Sequence, residues 1–149
     1  MREFTREKRL RTRSAAGTIA LGDMITELLP APRLIVLRGD LGAGKTTLVK
    51  GIAAALGAAA TDDVTSPTFT LVHEYQGRRV RLIHLDLYRL ETEHAVEGLG
   101  LWEMADAPDA LVIVEWGDKF ASIMERADAE ISMVVGENET ERLLHVRWR

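Results

Sequence analysis

The sequence predicts an α/β fold with three layers, in which helices cover a mixed, partly parallel central sheet. A glycine-rich loop at residues 39–46 stands between a short apolar run and a helical pattern. Two pairs of alternating segments, at 69–87 and 131–148, each contain a polar turn, as hairpins do. A continuous apolar run at 110–114 indicates a strand that is buried on both faces. Together these observations indicate the fold of P-loop NTPases.

The elements of the first half follow from periodicity and from residues that end helices. Apolar residues recur at helical spacing over 18–29, which predicts an amphipathic helix that Pro30 ends. Residues 34–37 are predicted to form a buried strand that leads into the glycine loop. The helix after this loop should end near Gly57, because glycine favours the position that follows a helix, and residues 58–67 should form a loop.

The second half is predicted to contain two hairpins and one central strand. Strands at 69–75 and 80–87 are joined by a turn at 76–78. A short helix is expected at 93–98, the buried strand at 110–114 and a helical turn at 122–126. Strands at 131–135 and 144–148, separated by polar residues 136–140, should close the sheet. The sheet is then parallel around the glycine loop and antiparallel toward the hairpins.

Composition limits the classes of function. A length of 149 residues favours a single domain, which we place at 14–149. The chain contains no cysteine, which excludes disulfides, thiolate catalysis and cysteine-based metal sites. No apolar stretch approaches the roughly 20 residues of a membrane span, and no signal peptide is seen, so we expect a cytoplasmic protein without a membrane partner. The net charge of −4 disfavours broad nucleic-acid binding, and we expect no DNA partner.

Basic residues crowd the first thirteen positions of this acidic chain. They are Arg2, Arg6, Lys8, Arg9, Arg11 and Arg13. We interpret residues 1–13 as a solvated, partly flexible basic arm. One alternative is a contact with nucleic acid or with an acidic partner. The other is a mitochondrial presequence, which Glu3 and Glu7 disfavour because they interrupt the basic run.

Residues 39–46 read Gly-Asp-Leu-Gly-Ala-Gly-Lys-Thr and match the phosphate-binding pattern GxxxxGK[ST]. Glycines let the backbone turn tightly and bring N–H groups to an anion, and the following helix adds the positive end of its dipole. Lys45 is predicted to reach the β- and γ-phosphates, and the hydroxyl of Thr46 to bind Mg²⁺. The predicted nucleotide-binding residues of the loop are Gly39, Asp40, Leu41, Gly42, Ala43, Gly44, Lys45 and Thr46.

Two predicted strands end in a carboxylate, the group that such a loop needs nearby to organise Mg²⁺ and water. Asp86 is predicted to share one strand face with His84 and Tyr88. Its role is either catalytic or metal-binding, or it is structural, as a strand-end cap or as the partner of Arg89 in an ion pair. Glu115 follows four apolar residues, in the manner of a Walker B strand, and is a candidate Mg²⁺ ligand. Alternatively, Glu115 orients the attacking water and Asp86 holds the metal. The pattern leaves both assignments open.

Four further positions are candidates of lower specificity. The hydroxyls of Ser66 and Thr68 are suited to a nucleotide-sensing switch, although Ser-Pro-Thr is also ordinary turn chemistry. Trp116 is placed to pack against the nucleotide or to gate the site. His84 either touches the site or is a satisfied strand histidine.

Four motifs occur in order along the chain: residues 39–47, 66–70 (Ser-Pro-Thr-Phe-Thr), 84–89 (His-Leu-Asp-Leu-Tyr-Arg) and 114–116 (Val-Glu-Trp). This set resembles the TsaE family, the small ATPase of bacterial tRNA threonylcarbamoyladenosine biosynthesis. The resemblance extends from about residue 18 to the C-terminus, and includes Leu21-Gly22 in the first helix. The combination of 84–89 with 114–116 is its most specific part, since many enzymes share the phosphate loop.

The resemblance implies a Mg²⁺-dependent ATPase that binds ATP and acts with homologues of TsaB and TsaD. TsaD transfers the threonylcarbamoyl group to the tRNA adenosine beside the anticodon, so this chain would reach tRNA only through the complex. The resemblance also implies that Thr47 contacts the α-phosphate side, that Asp86 and Glu115 are the catalytic or metal-binding carboxylates, and that Trp116 lies near the nucleotide. The region of Ser66 and Thr68 would act as the switch.

The chain departs from the family pattern at Gly117, where proline is expected, and it has no obvious arginine finger except the candidate Arg89. Such a site predicts weak hydrolysis without partners. Two alternatives remain. A small-molecule kinase of the shikimate or gluconate type would need an arginine-rich lid, which is not seen after Glu115. A nucleotide-regulated binding module with negligible hydrolysis would share the same motifs. A GTPase is disfavoured because no [NT]KxD motif occurs.

Overall fold

The computed structural model describes residues 3–149, which form a seven-stranded sheet between two layers of helices. The strands are β1 (Arg6–Thr12), β2 (Arg33–Arg38), β3 (Val72–Gln76), β4 (Arg81–Asp86), β5 (Ala110–Glu115), β6 (Ala129–Val135) and β7 (Arg142–Trp148). The α-helices are α1 (Ala15–Leu28), α2 (Lys45–Ala55), α3 (Glu93–Glu97), α4 (Leu101–Asp106) and α5 (Ala121–Arg126). Short 3₁₀ helices cover Thr61–Asp63 and Gly117–Lys119.

The strand order β1-β7-β6-β2-β5-β4-β3 places β2 at the centre of the sheet. Strand β2 is parallel to both β5 and β6, and β4 is parallel to β5, whereas the three outer pairs are antiparallel. Leu37 and Asp86 both lie opposite Glu115 in the register. The carboxyl ends of β2, β5 and β4 therefore meet at one edge of the sheet. The predicted α/β class with a mixed, partly parallel sheet is confirmed.

Two apolar cores lie on opposite faces of the sheet. On one face, α1 and α2 cover residues such as Ile35 and Ile113, and on the other face, α3, α4 and α5 cover Val36 and Val112. Adjacent residues of β2 and β5 thus point into different cores, which explains their continuous apolar runs. The arrangement is the predicted three-layer one.

Helices α1 and α2 cross at two glycines. A Cβ atom on Gly22 would lie 2.0 Å from the carbonyl oxygen of Gly51, and one on Gly51 would lie 2.1 Å from the carbonyl oxygen of Ile19. Real Cβ atoms do not approach backbone this closely, so the crossing requires glycine at both positions. The contact fixes α2, which begins where the glycine loop ends.

The prediction of a flexible basic arm is wrong for Arg6–Thr12, which form edge strand β1 and pair antiparallel with β7. Residues 1 and 2 of that predicted arm, Arg2 among them, lie outside the described residues. The sequence resembled an arm because most side chains of this strand are exposed and charged, and its one apolar residue, Leu10, packs only partly against the core. Backbone pairing with β7 holds the strand, and composition does not reveal that pairing. His145 of β7 also hydrogen-bonds Glu7 at 2.7 Å, and this bond lowers the pKa of Glu7.

Smaller differences concern the ends of elements. Helix α1 begins before residue 18, because the Ser14 hydroxyl accepts a hydrogen bond from the Gly17 N–H and caps it. Strand β3 begins only at Val72, since Leu71 has a left-handed φ of 69°. Helix α4 was not predicted. The other predicted elements are confirmed to within three residues. Within residues 3–149, no helix has the length and apolar character needed to cross a bilayer.

Candidate nucleotide-binding site

The glycine loop joins central strand β2 to α2, as the motif requires. Gly42 and Gly44 have φ values of 85° and 97°, in the left-handed region that side chains other than glycine rarely adopt. The N–H groups in the first turn of α2 have no carbonyl of their own helix to bind. They therefore form, with the helix dipole, a positive end suited to an anion.

Lys45, the first residue of α2, is buried beneath this loop. Its Nζ donates a hydrogen bond to the Gly39 carbonyl oxygen at 2.6 Å and lies 3.6 Å from Oε1 of Glu115. The same ammonium is 5.0 Å from the ring centroid of Trp116. A buried charge with these three partners is compensated. The lysine is therefore held at the site by groups that an anionic ligand would have to replace.

Glu115, at the end of β5, is also buried and is bound on both of its oxygens. Oε1 faces Lys45, and Oε2 lies 2.6 Å from Nε2 of His84 on the neighbouring strand β4. The imidazole is fully buried. His84 is thus linked to the site through Glu115.

Asp86, at the end of β4, is held by its own strand and by the loop before β3. Its Oδ1 accepts a hydrogen bond from the Tyr88 N–H at 2.9 Å, and Oδ2 accepts one from the Thr68 hydroxyl at 3.0 Å. The hydroxyl oxygens of Ser66 and Thr68 are 2.8 Å apart. Both predicted switch residues are therefore linked to Asp86. Among the described contacts Asp86 has no ion pair with Arg89, whose guanidinium stacks on Phe69 at 4.4 Å.

One cavity of about 750 Å³ connects these groups. It is lined by Asp40, Leu41, Gly42, Gly44, Lys45, Thr46, Thr47, Ser66, Thr68, Asp86, Tyr88, Glu115, Trp116 and Arg142. This volume is within the range of about 300–1,000 Å³ that ligand cavities have. Of the predicted nucleotide-binding, catalytic and switch residues, Gly39 and Ala43 do not line it: Gly39 lines an adjoining cavity of about 380 Å³, and the side chain of Ala43 is buried in the core below the loop. The candidates His84 and Arg89 do not line it either.

Trp116 forms one wall of this cavity in an unusual backbone conformation. Its φ is 64°, and the indole packs against the Tyr88 ring at 5.1 Å between centroids. The Lys119 ammonium donates to the carbonyl oxygens of Tyr88 and Leu90, at 2.9 and 2.7 Å, and so fixes the segment that carries Tyr88. The wall is therefore built by the segments that follow β4 and β5.

Arg142, at the start of β7, is a site residue that the sequence did not reveal. Its Nε donates to the Ala43 carbonyl oxygen at 2.9 Å, and Nη2 to that of Gly42 at 3.3 Å. It therefore fixes the glycine loop from a strand about a hundred residues away in sequence. Only the register of the closing hairpin could have indicated this contact.

The donor set fits a magnesium ion that arrives with a phosphate ligand. Mg²⁺ is usually held by one or two carboxylates together with phosphate oxygens and water. The cavity offers Asp86, Glu115 and the Thr46 hydroxyl. Residues 3–149 contain no group of three or more His, Cys, Asp or Glu side chains placed to hold a metal by themselves. A metal bound here would therefore depend on ligands from outside the chain.

The family model and the curated relatives that match this chain all carry the same family name. Residues 12–144 match the family model described as threonylcarbamoyl adenosine biosynthesis protein TsaE. The chain is 45% identical over 106 residues to a tRNA threonylcarbamoyladenosine biosynthesis protein TsaE from Nostoc, covering 69% of this chain and 64% of that relative. It is 40% identical over 124 residues to the protein of the same name from Treponema pallidum, covering 83% and 89%. The chain thus spans slightly less than two thirds of the Nostoc relative.

A solved structure has the same fold. The crystal structure of Bacillus subtilis YdiB superposes with a TM-score of 0.74 at 28% identity, over 99% of this chain and 88% of that chain. The match extends over the whole sheet and both helical layers.

Proposed function

The chain belongs to the TsaE family, and on this premise we propose that it is a Mg²⁺-dependent ATPase that supports threonylcarbamoyladenosine formation on tRNA. The observation that carries the proposal is the convergence of Lys45, Asp86 and Glu115 on one cavity above a complete phosphate loop. The protein would act in the cytoplasm with homologues of TsaB and TsaD, and would reach tRNA through them. The threonylcarbamoyl transfer itself belongs to TsaD.

Nucleotide binding would begin with an exchange of partners at Lys45. In the structure this ammonium is 2.6 Å from the Gly39 carbonyl oxygen and 3.6 Å from Glu115. The phosphates of ATP offer more charge than either partner, and the loop N–H groups would hold them from below. Thr47, which also lines the cavity, would contact the α-phosphate side.

Thr46 and one of the two carboxylates, Asp86 or Glu115, would hold Mg²⁺, which when bound neutralises charge on the phosphates. We assign Glu115 to the metal, because its Oε1 adjoins the lysine that reaches the phosphates. We assign Asp86 to the attacking water, because one of its oxygens is bound to Thr68 in a loop that can respond to the γ-phosphate. The Thr68–Asp86 hydrogen bond then links the state of the loop to the catalytic carboxylate.

The proposal is tested by measuring ATP hydrolysis by the purified chain, alone and with its cognate TsaB and TsaD homologues. We expect weak hydrolysis alone that increases with the partners. Lys45→Ala should abolish it, whereas Lys50→Ala, on the same helix but outside the cavity lining, should leave it intact. Hydrolysis that does not respond to the partners would contradict the proposal and favour a small-molecule kinase. Nucleotide binding without any hydrolysis would favour a binding module.

A further inference from the structure

A histidine and a glutamate form a buried pair at the floor of the nucleotide cavity. His84 Nε2 and Glu115 Oε2 are 2.6 Å apart, and the exposed fractions of the two residues are 0% and 3%. His84 is absent from the cavity lining, so it does not touch a ligand there. Any effect of the imidazole on nucleotide chemistry must pass through Glu115.

We propose that His84 is a positioning residue that holds Oε2 of Glu115 and thereby presents Oε1 to the nucleotide site. This inference rests on the ATPase function proposed above. The two oxygens of the Glu115 carboxylate are chemically equivalent. The hydrogen bond from His84 determines which of them points toward the nucleotide site.

Packing does not account for the histidine. His84 lies in the interior of β4, with Ile113 and His73 beside it in the register of the two neighbouring strands. Its Nδ1 is buried and has no hydrogen-bond partner within residues 3–149. A buried polar atom without a partner is unfavourable, so an apolar side chain would fill this position at lower cost. The hydrogen bond to Glu115 is what distinguishes histidine from such a residue.

The two oxygens of Glu115 are held by groups of different rigidity. Lys45 approaches Oε1 at 3.6 Å on a flexible four-carbon side chain, whereas His84 binds Oε2 from within the sheet. A carboxylate only accepts hydrogen bonds, so the ring donates from Nε2. When ATP draws Lys45 away, His84 remains as the support of the carboxylate. Without it, Glu115 is free to rotate, and Oε1 is no longer held facing the position where Mg²⁺ would bind.

The first test compares two substitutions of His84 that keep different properties. His84→Phe keeps an aromatic ring, one atom larger than imidazole, and removes the donor, whereas His84→Gln keeps an N–H near the position of Nε2. Loss of a group that supports a metal ligand lowers activity or metal affinity by about 10- to 100-fold. We expect kcat/KM of the first variant for Mg²⁺-bound ATP to fall by this factor, and His84→Gln to recover most of the loss.

The matched control is His145→Phe. His145 also forms a 2.7 Å pair with a glutamate, Glu7, but on the β1–β7 side of the sheet and outside the cavity lining. Its removal should leave kcat and KM at wild-type values. Thermal unfolding of each variant identifies any loss of fold. If His84→Phe does not fold, His84→Asn replaces it, because the shorter amide occupies the place of Nδ1 and leaves Glu115 without its donor.

A second test follows binding, without turnover. Nucleotide affinity is measured by tryptophan fluorescence in EDTA and again with Mg²⁺. In EDTA we expect wild type and His84→Phe to bind ADP equally. The gain in affinity that Mg²⁺ brings should be smaller in the variant by about the same 10- to 100-fold factor. A separate double-mutant cycle compares kcat/KM of Glu115→Gln with and without His84→Phe. It should show no further loss in the double variant, because both changes act on one group.

Three outcomes separate the possibilities. Wild-type kcat/KM and Mg²⁺ response in a folded His84→Phe would overturn the inference. So would an equal additional loss from His84→Phe in the Glu115→Gln background, since the histidine would then act independently of the glutamate. Absence of ATPase activity in the wild type would contradict the proposed function instead, and the Mg²⁺-dependent binding comparison would still test His84.

Discussion

Replacing Gly51 with alanine tests whether the close crossing of α1 and α2 determines the stability of the domain. An alanine Cβ at this position would lie 2.1 Å from the Ile19 carbonyl oxygen, where contacts under 3.0 Å are not tolerated. The two helices must therefore separate by about 1 Å. Because the obstacle is backbone, no side-chain rotation relieves it.

Two effects of opposite sign decide the magnitude. Alanine is favoured over glycine in a helix interior by about 1 kcal/mol, so propensity alone predicts stabilisation. Overpacking a well-packed site costs about 1–3 kcal/mol, and a backbone obstacle belongs at the upper end of that range. We therefore expect a net loss of about 2 kcal/mol. For a chain of this size the corresponding decrease in Tm is about 4–8 °C.

The assay is urea unfolding of Gly51→Ala and of the control Gly98→Ala. At Gly98 a Cβ would have its nearest neighbour at 3.6 Å, in ordinary contact, so the control should lose nothing. Gly22→Ala should lower the free energy of unfolding by about as much as Gly51→Ala. The double variant should lose less than the sum of the two single losses, because one separation of the helices relieves both contacts. Equal or greater stability of Gly51→Ala relative to wild type would refute the reasoning.

Three further predictions concern the site and the edge strand. Arg142→Ala should raise KM for ATP by about tenfold. Arg142→Lys should show the same increase, because one ammonium cannot reproduce the planar guanidinium that binds two loop carbonyls. Steady-state kinetics test both variants. Thr68→Val should lower kcat by about tenfold through loss of its bond to Asp86, while Thr68→Ser retains activity; equal rates would exclude the switch role. Glu7→Gln should destabilise the protein slightly at neutral pH. Since His145 lowers the folded-state pKa of Glu7, that effect should disappear as the pH falls through this pKa, and urea unfolding at neutral and acidic pH would show it.

The central part of the fold was predictable because it is local. Strand β2, the glycine loop and α2 are consecutive, and each has a period or a residue type that defines it. Asp86 and Glu115 were predicted to lie near the loop because each ends a hydrophobic strand, where a phosphate loop needs a carboxylate. The parallel pairing of β4 with β5 explains why the two carboxylates meet at one edge. Leu21-Gly22 was noted only as a resemblance, and the structure supplies its physical reason in the contact with the Gly51 carbonyl oxygen.

What the sequence did not reveal depends on pairing between distant segments. The contact of Arg142 with the loop could be predicted only from the register of β6 and β7. The strand β1 could be predicted only if β7 were known to have an edge open for pairing. An arginine at the start of a strand and a charged edge strand have no distinctive pattern of their own. The His84–Glu115 hydrogen bond likewise needs the exact register of two strands that are about thirty residues apart.

The pairing of β1 with β7 also sets an order of events during synthesis. Strand β1 is synthesised before its partner β7, so it waits unpaired while more than a hundred intervening residues are added. An unpaired strand is a template for pairing with other chains, and lysine and arginine on it oppose such association. Arg6, Lys8, Arg9 and Arg11 place four such charges on β1, where they oppose association of the strand with other chains until β7 is made.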